Sequence, residues 1–157
     1  MGSREAPAAR ARPNEAKPNA SYHLESQVGF VLRRAHQRAS SIFAAHFQQA
    51  NLSPVQFAAL VKIRDLGQVS QNHLGRLISM DPATIMGVVN RLVQRKLARR
   101  SADPVDRRRA LIVITSEGLR LVKECEPLGH AVTKETLRNL SFEERQTLTA
   151  LLSRIAD

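Results

Sequence analysis

Three consecutive arginines, Arg107, Arg108 and Arg109, stand in the stretch SADPVDRRRALIVITSEG. Adjacent guanidinium groups repel one another, so a structured segment that carries three of them needs a negatively charged partner. Two carboxylates, Asp103 and Asp106, precede the arginines, and an apolar run follows them. The pattern is that of an exposed basic loop leading into a buried strand. It predicts contact with a polyanion.

The distribution of charge along the chain supports this prediction. The 157 residues include 24 Lys and Arg and 14 Asp and Glu, a net charge of +10. Eight basic and two acidic residues lie between Arg91 and Arg109, so this segment alone carries +6. Its basic residues are Arg91, Arg95, Lys96, Arg99, Arg100, Arg107, Arg108 and Arg109. A run of charge is usually a solvated surface, but this density favours a nucleic-acid footprint.

Other kinds of chemistry find little support in the sequence. It contains no Gly-rich phosphate loop, nucleophile elbow or paired-carboxylate motif, so we expect neither enzyme activity nor a cofactor. The five histidines have no i, i+4 pair, and we expect no metal site. The single cysteine, Cys125, excludes an internal disulfide, and no apolar run approaches the roughly 20 residues that a membrane span needs. We therefore expect a cytoplasmic protein without a membrane partner.

The elements that position the basic segment are predicted to be mainly helical. Aromatic residues make up only 4% of the chain, so the core must be built from aliphatic side chains. Residues 1–20 lack apolar periodicity and predict a disordered basic tail. From about Ser21 to Ala50, apolar residues recur at steps of three and four, which predicts one long amphipathic helix. A helix of that length extends past the core of a small domain, which favours a dimer interface.

Three shorter helices with tight connections are predicted next. Ser53 opens the first as an N-cap and Gly67 ends it. Ser70 caps the second, and the third runs from Asp81 to about Lys96. This succession is typical of a helix-turn-helix.

The third of these helices has two different faces. Ile85, Val88, Val89, Leu92 and Val93 form a stripe that we expect to be buried. The opposite face carries small and polar residues that can approach a DNA groove, namely Ala83, Thr84, Met86, Gly87, Asn90 and Arg91. The backbone N–H groups at the start of the preceding helix, at Ser70, Gln71 and Asn72, are candidates to seat a phosphate. A solvated helix face is the alternative interpretation.

A β-hairpin and two further helices complete the prediction. Residues 98–101 and 110–115 predict two short strands joined by the arginine loop, which forms a wing after the helix-turn-helix. Thr115 caps a long helix that reaches about Asn139 and is bent or interrupted at Pro127 and Gly129. A capping box at Ser141 opens a last helix to Ala156. The expected fold class is mainly α with a small β-hairpin wing.

Two segments, MDPATIMGVVNRLVQRKLARR and DPVDRRRALIVITSEG, resemble the MarR family of winged helix-turn-helix transcription regulators. The predicted order of helices and strands also resembles that of the family, so that the resemblance extends over residues 22–156. The second segment is similar to the family's wing, with its Asp-x-Arg pattern, apolar strand and Thr-x-x-Gly helix start. The resemblance implies a winged helix-turn-helix lobe over residues 51–115 and a helical dimerisation region formed by residues 21–50 and 116–157.

The resemblance also implies roles for individual residues. The chain would be a homodimer that binds double-stranded DNA at a pseudo-palindrome, with helix 81–96 in the major groove. Arg108 would enter the minor groove while Arg107 and Arg109 reach flanking phosphates. Asp103 and Asp106 would orient the wing by pairing with arginines.

Many relatives of this kind release DNA when a small aromatic acid binds between the dimerisation helices and the winged lobe. This implies that the chain is a repressor with an aromatic or heteroaromatic carboxylate as its effector. The candidate contacts are Tyr22, His23, Arg33, His36, Ser40, Phe43 and Phe57. Ordinary solvation of a helix face is the alternative for the polar ones.

Two other functions remain open from the sequence. Cys125 would make the chain a redox-responsive regulator if its thiol were reactive, although a lone cysteine on a helix is more often inert packing. The winged helix would be a protein-interaction module if its basic surface bound an acidic protein. A protein-docking surface is expected to expose apolar anchors, whereas this one exposes arginines and small polar residues.

Overall fold

The computed structural model describes residues 21–104 and 110–156. In these residues the chain forms six α-helices and one small antiparallel sheet, which confirms the mainly α fold class with a wing. The helices are α1 Val28–His46, α2 Pro54–Leu66, α3 Gln71–Leu77, α4 Pro82–Gln94, α5 Ser116–Thr136 and α6 Phe142–Ala156. The strands are β1 Gln68–Ser70, β2 Ala98–Ala102 and β3 Ala110–Ile114. The predicted tail at residues 1–20 and the wing tip at residues 105–109 lie outside the described residues.

The predicted N-caps are confirmed. At the start of α2, the Ser53 hydroxyl accepts a hydrogen bond from the Gln56 N–H while the Gln56 side chain accepts one from the Ser53 N–H. Ser70 and Asp81 accept hydrogen bonds in the same way at the first turns of α3 and α4. Gly67 ends α2 with φ +73°, a left-handed conformation that glycine adopts without a steric penalty.

The sheet joins the wing to the helix-turn-helix. Strand β3 lies between β1 and β2 and pairs antiparallel with both. Ile112 lies opposite Val69 on one side and Arg100 on the other. Because side chains opposite each other across a ladder share a face, Val69, Arg100 and Ile112 stand on the same face of the sheet. Val69 and Ile112 are buried, so this is the face that packs on the helices.

The core lies where α2, α3, α4 and this sheet face meet. Leu60, Ile63, Leu74, Ile85 and Leu92 are completely shielded from solvent. Helix α5 adds two buried side chains, Val122 and Cys125, and the end of α1 adds two more, Phe43 and Phe47. The predicted buried stripe of α4 is confirmed at Ile85, Val88, Val89 and Leu92, whereas the fifth predicted position, Val93, is only half-buried.

The prediction of one long first helix from Ser21 to Ala50 is wrong at both ends. The segment before Val28 forms a 3₁₀ turn at Leu24–Ser26, and Gln27 has an extended backbone. The Ser26 hydroxyl and the Gln27 amide both donate to the carbonyl oxygen of His23. Such local side-chain bonds compete with helical ones. At the other end, a turn follows His46.

Two smaller predictions also need correction. Helix α5 runs through Pro127 and Gly129 without interruption and ends at Thr136 rather than Asn139. Buried side chains before the proline and half-buried ones after it, such as Val122 and Leu128, pack against the same core. Strand β1 was not predicted, because three residues with one buried side chain give too little alternation to detect.

The start of α5 lies unusually close to the chain between α4 and β2. The Thr115 hydroxyl donates to the carbonyl oxygens of Lys96 and Leu97, at 2.7 and 3.0 Å, and accepts a hydrogen bond from the Gly118 N–H. A Cβ at Gly118 would overlap the Leu97 carbonyl oxygen and lie 2.8 Å from Cγ1 of Ile114. Only glycine therefore fits at this point of contact.

We expect Gly118→Ala to lower the free energy of unfolding by about 3 kcal/mol, because backbone rather than a flexible side chain must move to admit the methyl group. Urea denaturation measures the change. Gly87→Ala is the control, because open space surrounds that Cβ position and alanine favours the helix. Equal stability of the Gly118 variant and the native chain would contradict the close contact.

Candidate nucleic-acid interface

Helix α4 turns the predicted DNA-facing residues to solvent. Its buried stripe fixes the rotation of the helix about its axis, so the opposite face must be open. Gly87 is half-buried on that face. The other predicted residues of the face are all exposed, namely Ala83, Thr84, Met86, Asn90 and Arg91. The structure therefore presents the predicted set as one surface.

The first turn of α4 is held by its cap. Asp81 accepts hydrogen bonds from the N–H groups of Ala83 and Thr84, at 3.0 and 2.9 Å, and from the Thr84 hydroxyl. Bonds from Thr84, first its hydroxyl and then its N–H, hold the pKa of Asp81 below its ordinary value. Because the Thr84 hydroxyl hydrogen is already donated, Thr84 can offer DNA only oxygen lone pairs and its methyl group.

Asn90, on the third turn of this face, has a partner in the wing. The Arg100 guanidinium donates from Nη2 to the side-chain oxygen of Asn90 at 2.8 Å. Both side chains are exposed. Sequence reasoning counted Arg100 only as part of the basic stripe. The alternation of side chains along β2 could have indicated that Arg100 faces the helices, since it lies on the same face as the buried Ala98.

The start of α3 borders a cleft of about 400 Å³. Ser70, Gln71 and Asn72 line it, as does Ala110 at the base of the wing. The cleft also includes Arg76, which the sequence prediction did not single out. Arg76 is exposed and lies one turn after the predicted phosphate-binding residues.

The basic segment divides into different environments. Arg95 donates to the carbonyl oxygens of Asn51 and Ala50, at 2.5 and 2.9 Å, and is therefore a structural link rather than a free cation. Arg91, Lys96 and Arg99 are exposed. The three consecutive arginines of the predicted wing, Arg107, Arg108 and Arg109, lie outside the described residues.

The predicted wing-orienting carboxylates are only partly described. Asp103 directly follows β2 and is half-buried. Asp106 lies outside the described residues, so its pairing with an arginine stays a prediction.

The predicted effector residues fall into two groups. Tyr22, His23, Arg33 and His36 are exposed, and Ser40 is half-buried with its hydroxyl 3.5 Å from the His36 ring. The aromatic residues lie elsewhere: Phe43 is buried and Phe57 is half-buried.

Phe43 and Phe57 belong to an aromatic cluster completed by Phe47. The Phe43 and Phe47 rings stack with centroids 3.8 Å apart, and the Phe57 centroid lies 4.9 Å from that of Phe47. Arg33 precedes Phe43 by ten residues on the same helix, about 15 Å along its axis. Ser40, of the polar group, precedes Phe43 by only three residues, and the shared role of the two groups stays a prediction.

Cys125 lacks the surroundings of a sensing thiol. Its side chain is 1% exposed, and burial, with a smaller effect of the Glu124 charge, raises the pKa of the thiol above its ordinary value. The thiol is therefore protonated and shielded. This weakens the redox alternative.

Two features are absent from the described part of the chain, residues 21–104 and 110–156. No helix there is long and apolar enough to cross a bilayer. No group of three or more His, Cys, Asp or Glu side chains there is arranged to hold a metal ion.

Comparison with known proteins identifies one family. The model of the MarR family matches residues 52–110. The HTH-type transcriptional repressor NicR of Pseudomonas putida is 34% identical over 139 residues, which cover 88% of this chain and 88% of the relative.

Solved structures of related regulators have the same fold. A crystal structure of a probable transcriptional regulator from Pseudomonas aeruginosa is 42% identical, with a TM-score of 0.82 over 85% of this chain and 99% of that chain. BpsR of Bordetella bronchiseptica, whose DNA binding is regulated by 6-hydroxynicotinic acid, is 38% identical, with a TM-score of 0.85 over 88% and 99% of the two chains.

We expect Gly87→Ala to weaken DNA binding while it stabilises the free protein. Nothing lies within 4 Å of the added methyl group, so it favours the helix by about 0.5–1 kcal/mol. It would, however, separate α4 from a groove that the backbone approaches closely. Thermal unfolding and fluorescence anisotropy on operator DNA measure the two effects. Raised stability with unchanged affinity would remove Gly87 from the interface.

Proposed function

Because the chain belongs to the MarR family, we propose that it is a homodimeric repressor that binds a pseudo-palindromic operator and leaves it when a small heteroaromatic carboxylate binds. The observation that carries the proposal is the exposed face of α4, where small and polar side chains stand beside the basic strand β2. Such a surface fits the major groove and its phosphates better than it fits a protein partner.

Each part of the lobe has a separate task in this proposal. Helix α4 enters the major groove, with Thr84 and Asn90 toward base edges. The cleft beside α3 binds a DNA phosphate, which accepts hydrogen bonds from the backbone N–H groups near Gln71 and from the Arg76 side chain. Arg108 enters the adjacent minor groove, and the arginines beside it neutralise phosphates. Each neutralised phosphate releases counterions, so affinity falls steeply with salt.

The apolar surface outside the lobe supports the dimer. Helix α6 contributes no buried residue within one chain. The exposed large apolar side chains near the two ends of the described chain are Tyr22, Leu24, Val28, Val31, Leu32, Phe142, Leu151, Leu152 and Ile155. Soluble monomers seldom leave so many apolar side chains in contact with water. The predicted dimerisation region, residues 21–50 and 116–157, contains all of them.

The effector class is supported by the similarity to BpsR, which responds to 6-hydroxynicotinic acid. In this chain Arg33, His36 and Ser40 follow one another at steps of three and four, so they share one side of α1. A cation, an imidazole and a hydroxyl suit a carboxylate and a ring hydroxyl. An effector must bind the free and the DNA-bound dimers with different affinity, because otherwise it shifts no population.

Fluorescence anisotropy on the DNA upstream of the chain's own gene tests the proposal. We expect one dimer to bind each pseudo-palindrome tightly and to bind it much more weakly at higher salt. We also expect one member of a panel of benzoic, nicotinic and hydroxynicotinic acids to release the DNA. Binding no tighter than to random DNA would contradict an operator at this site and favour an acidic protein partner. Tight binding that no acid affects would contradict the effector class alone.

We expect Arg108→Ala to weaken operator binding by about 1–3 kcal/mol, because the variant loses a charge placed in the minor groove. The same anisotropy titration measures it. Arg138→Ala, which removes an equal charge from an exposed position beyond α5, is the matched control. If both variants bound equally well, the wing assignment of Arg108 would fail.

A further inference from the structure

We propose that Arg100 is a specificity-determining residue that does not itself read DNA: it orients the Asn90 amide so that Asn90 reads a base that offers a hydrogen-bond acceptor in the major groove and rejects cytosine, which offers none. The inference rests on the proposed DNA-binding function and adds to it the kind of base pair that the third turn of α4 selects.

The sheet explains how a wing residue reaches the recognition surface. Arg100 lies opposite Ile112 in the β2–β3 ladder, and Ala98 precedes it by two residues on the same face. Ala98 and Ile112 are 2% and 1% exposed, so this face packs against the helices. Arg100 is the next residue outward on this face and is itself exposed. Its side chain therefore passes the rim of the sheet and meets α4 at Asn90.

The chemistry of the pair fixes which way the amide faces. A guanidinium has five N–H donors and no acceptor, so only the oxygen of the Asn90 side chain can face it. The distance from Nη2 to that oxygen is 2.8 Å, typical of a charge-assisted hydrogen bond. The amide nitrogen must then point to the other side. With Arg100 in place, rotation of the amide would set donors against donors.

The free nitrogen determines what Asn90 can recognise. An asparagine that reads adenine uses oxygen and nitrogen together, accepting from N6 and donating to N7. Here the oxygen is engaged, so Asn90 presents two donors. Guanine offers O6 and N7, thymine offers O4 and adenine offers N7 as acceptors in the major groove, whereas cytosine presents only the N4 amino group. Donor would meet donor at cytosine, and that base is excluded.

Asn90 stands where a base contact is feasible. Ala83 and Gly87, seven and three residues earlier, lie on the same side of α4 and have little or no side chain. The helix can therefore approach the groove closely enough for a short amide to reach a base edge. A longer side chain would be needed if the surface around it were bulky.

The test compares base preferences rather than overall affinity. The probe is the duplex that the native dimer selects from a random-sequence library, together with its single-base variants at each position. Four variants are titrated on this set: Asn90→Ala, Arg100→Ala, the double variant, and Arg99→Ala. Arg99 is the matched control, because it carries the same charge one residue away on the opposite face of β2.

We expect the native protein to discriminate against cytosine at one position of each half-site by about ten-fold or more. Asn90→Ala should reduce that discrimination to within about three-fold at this position alone. Arg100→Ala should do the same, because the released amide can rotate and accept from cytosine. The double variant should match Asn90→Ala at this position. Arg99→Ala should lower affinity for every duplex by a similar factor and leave the preference unchanged.

Two results would overturn the inference. One is an Arg100→Ala variant that loses affinity equally for all duplexes, since Arg100 would then contact only phosphate. The other is an Asn90→Ala variant that keeps the cytosine discrimination. Failure of the proposed function is separate, because a native dimer that selects no sequence from the library would show it before any variant is made.

Discussion

The structure depends most strictly on the contact between the first turn of α5 and the chain at Lys96 and Leu97, because the backbones approach too closely there for any side chain at Gly118. The Thr115 hydroxyl and N–H together satisfy the carbonyl oxygens of Lys96 and Leu97, in the connection after α4. The Leu97 N–H donates to Leu92, and the Thr115 N–H donates to Leu97, so one residue links the recognition helix, the wing and α5. Gly118 permits the approach because a methyl group there would overlap backbone. The angle of α4 to the wing depends on this joint.

A few polar contacts connect this lobe to the helices on which an effector would act. Arg95, directly after α4, donates to the carbonyl oxygens of the turn between α1 and α2. Arg64 of α2 pairs with Glu126 of α5 at 2.5 Å. The first contact joins the end of α4 to the turn after α1, and the second joins α2 to α5.

The sequence predicted those features that one segment encodes by itself. The capping boxes and four of the five positions of the buried stripe of α4 depend on neighbours within four residues, and the structure shows them. The predicted helix bounds were wrong where local side-chain hydrogen bonds or tertiary packing override the helical pattern. Helix α1 begins later than predicted because the Ser26 and Gln27 side chains bind the His23 carbonyl oxygen. Helix α5 continues through Pro127 because residues on both sides of the proline pack against the core.

Contacts between distant residues could not be predicted from periodicity. The Arg100–Asn90 pair depends on the register of β2 against β3 and on the rotation of α4, neither of which a single segment specifies. The same holds for Arg95, which composition alone assigned to the basic stripe although it binds backbone carbonyls. A count of positive charge therefore overstates the number of cations free to meet DNA.

This distinction separates affinity from specificity. Arginines that face phosphates contribute to binding on any sequence and lose strength as salt rises. An amide whose orientation is fixed by a neighbour contributes little to general affinity, but it imposes a penalty on a wrong base. In the proposed arrangement, the Arg100 guanidinium binds the Asn90 side-chain oxygen, so that the Asn90 amide presents only its N–H donors to DNA. Discrimination then comes from the cost of an unpaired donor at the wrong base, which is larger than the gain from one more contact at the right one.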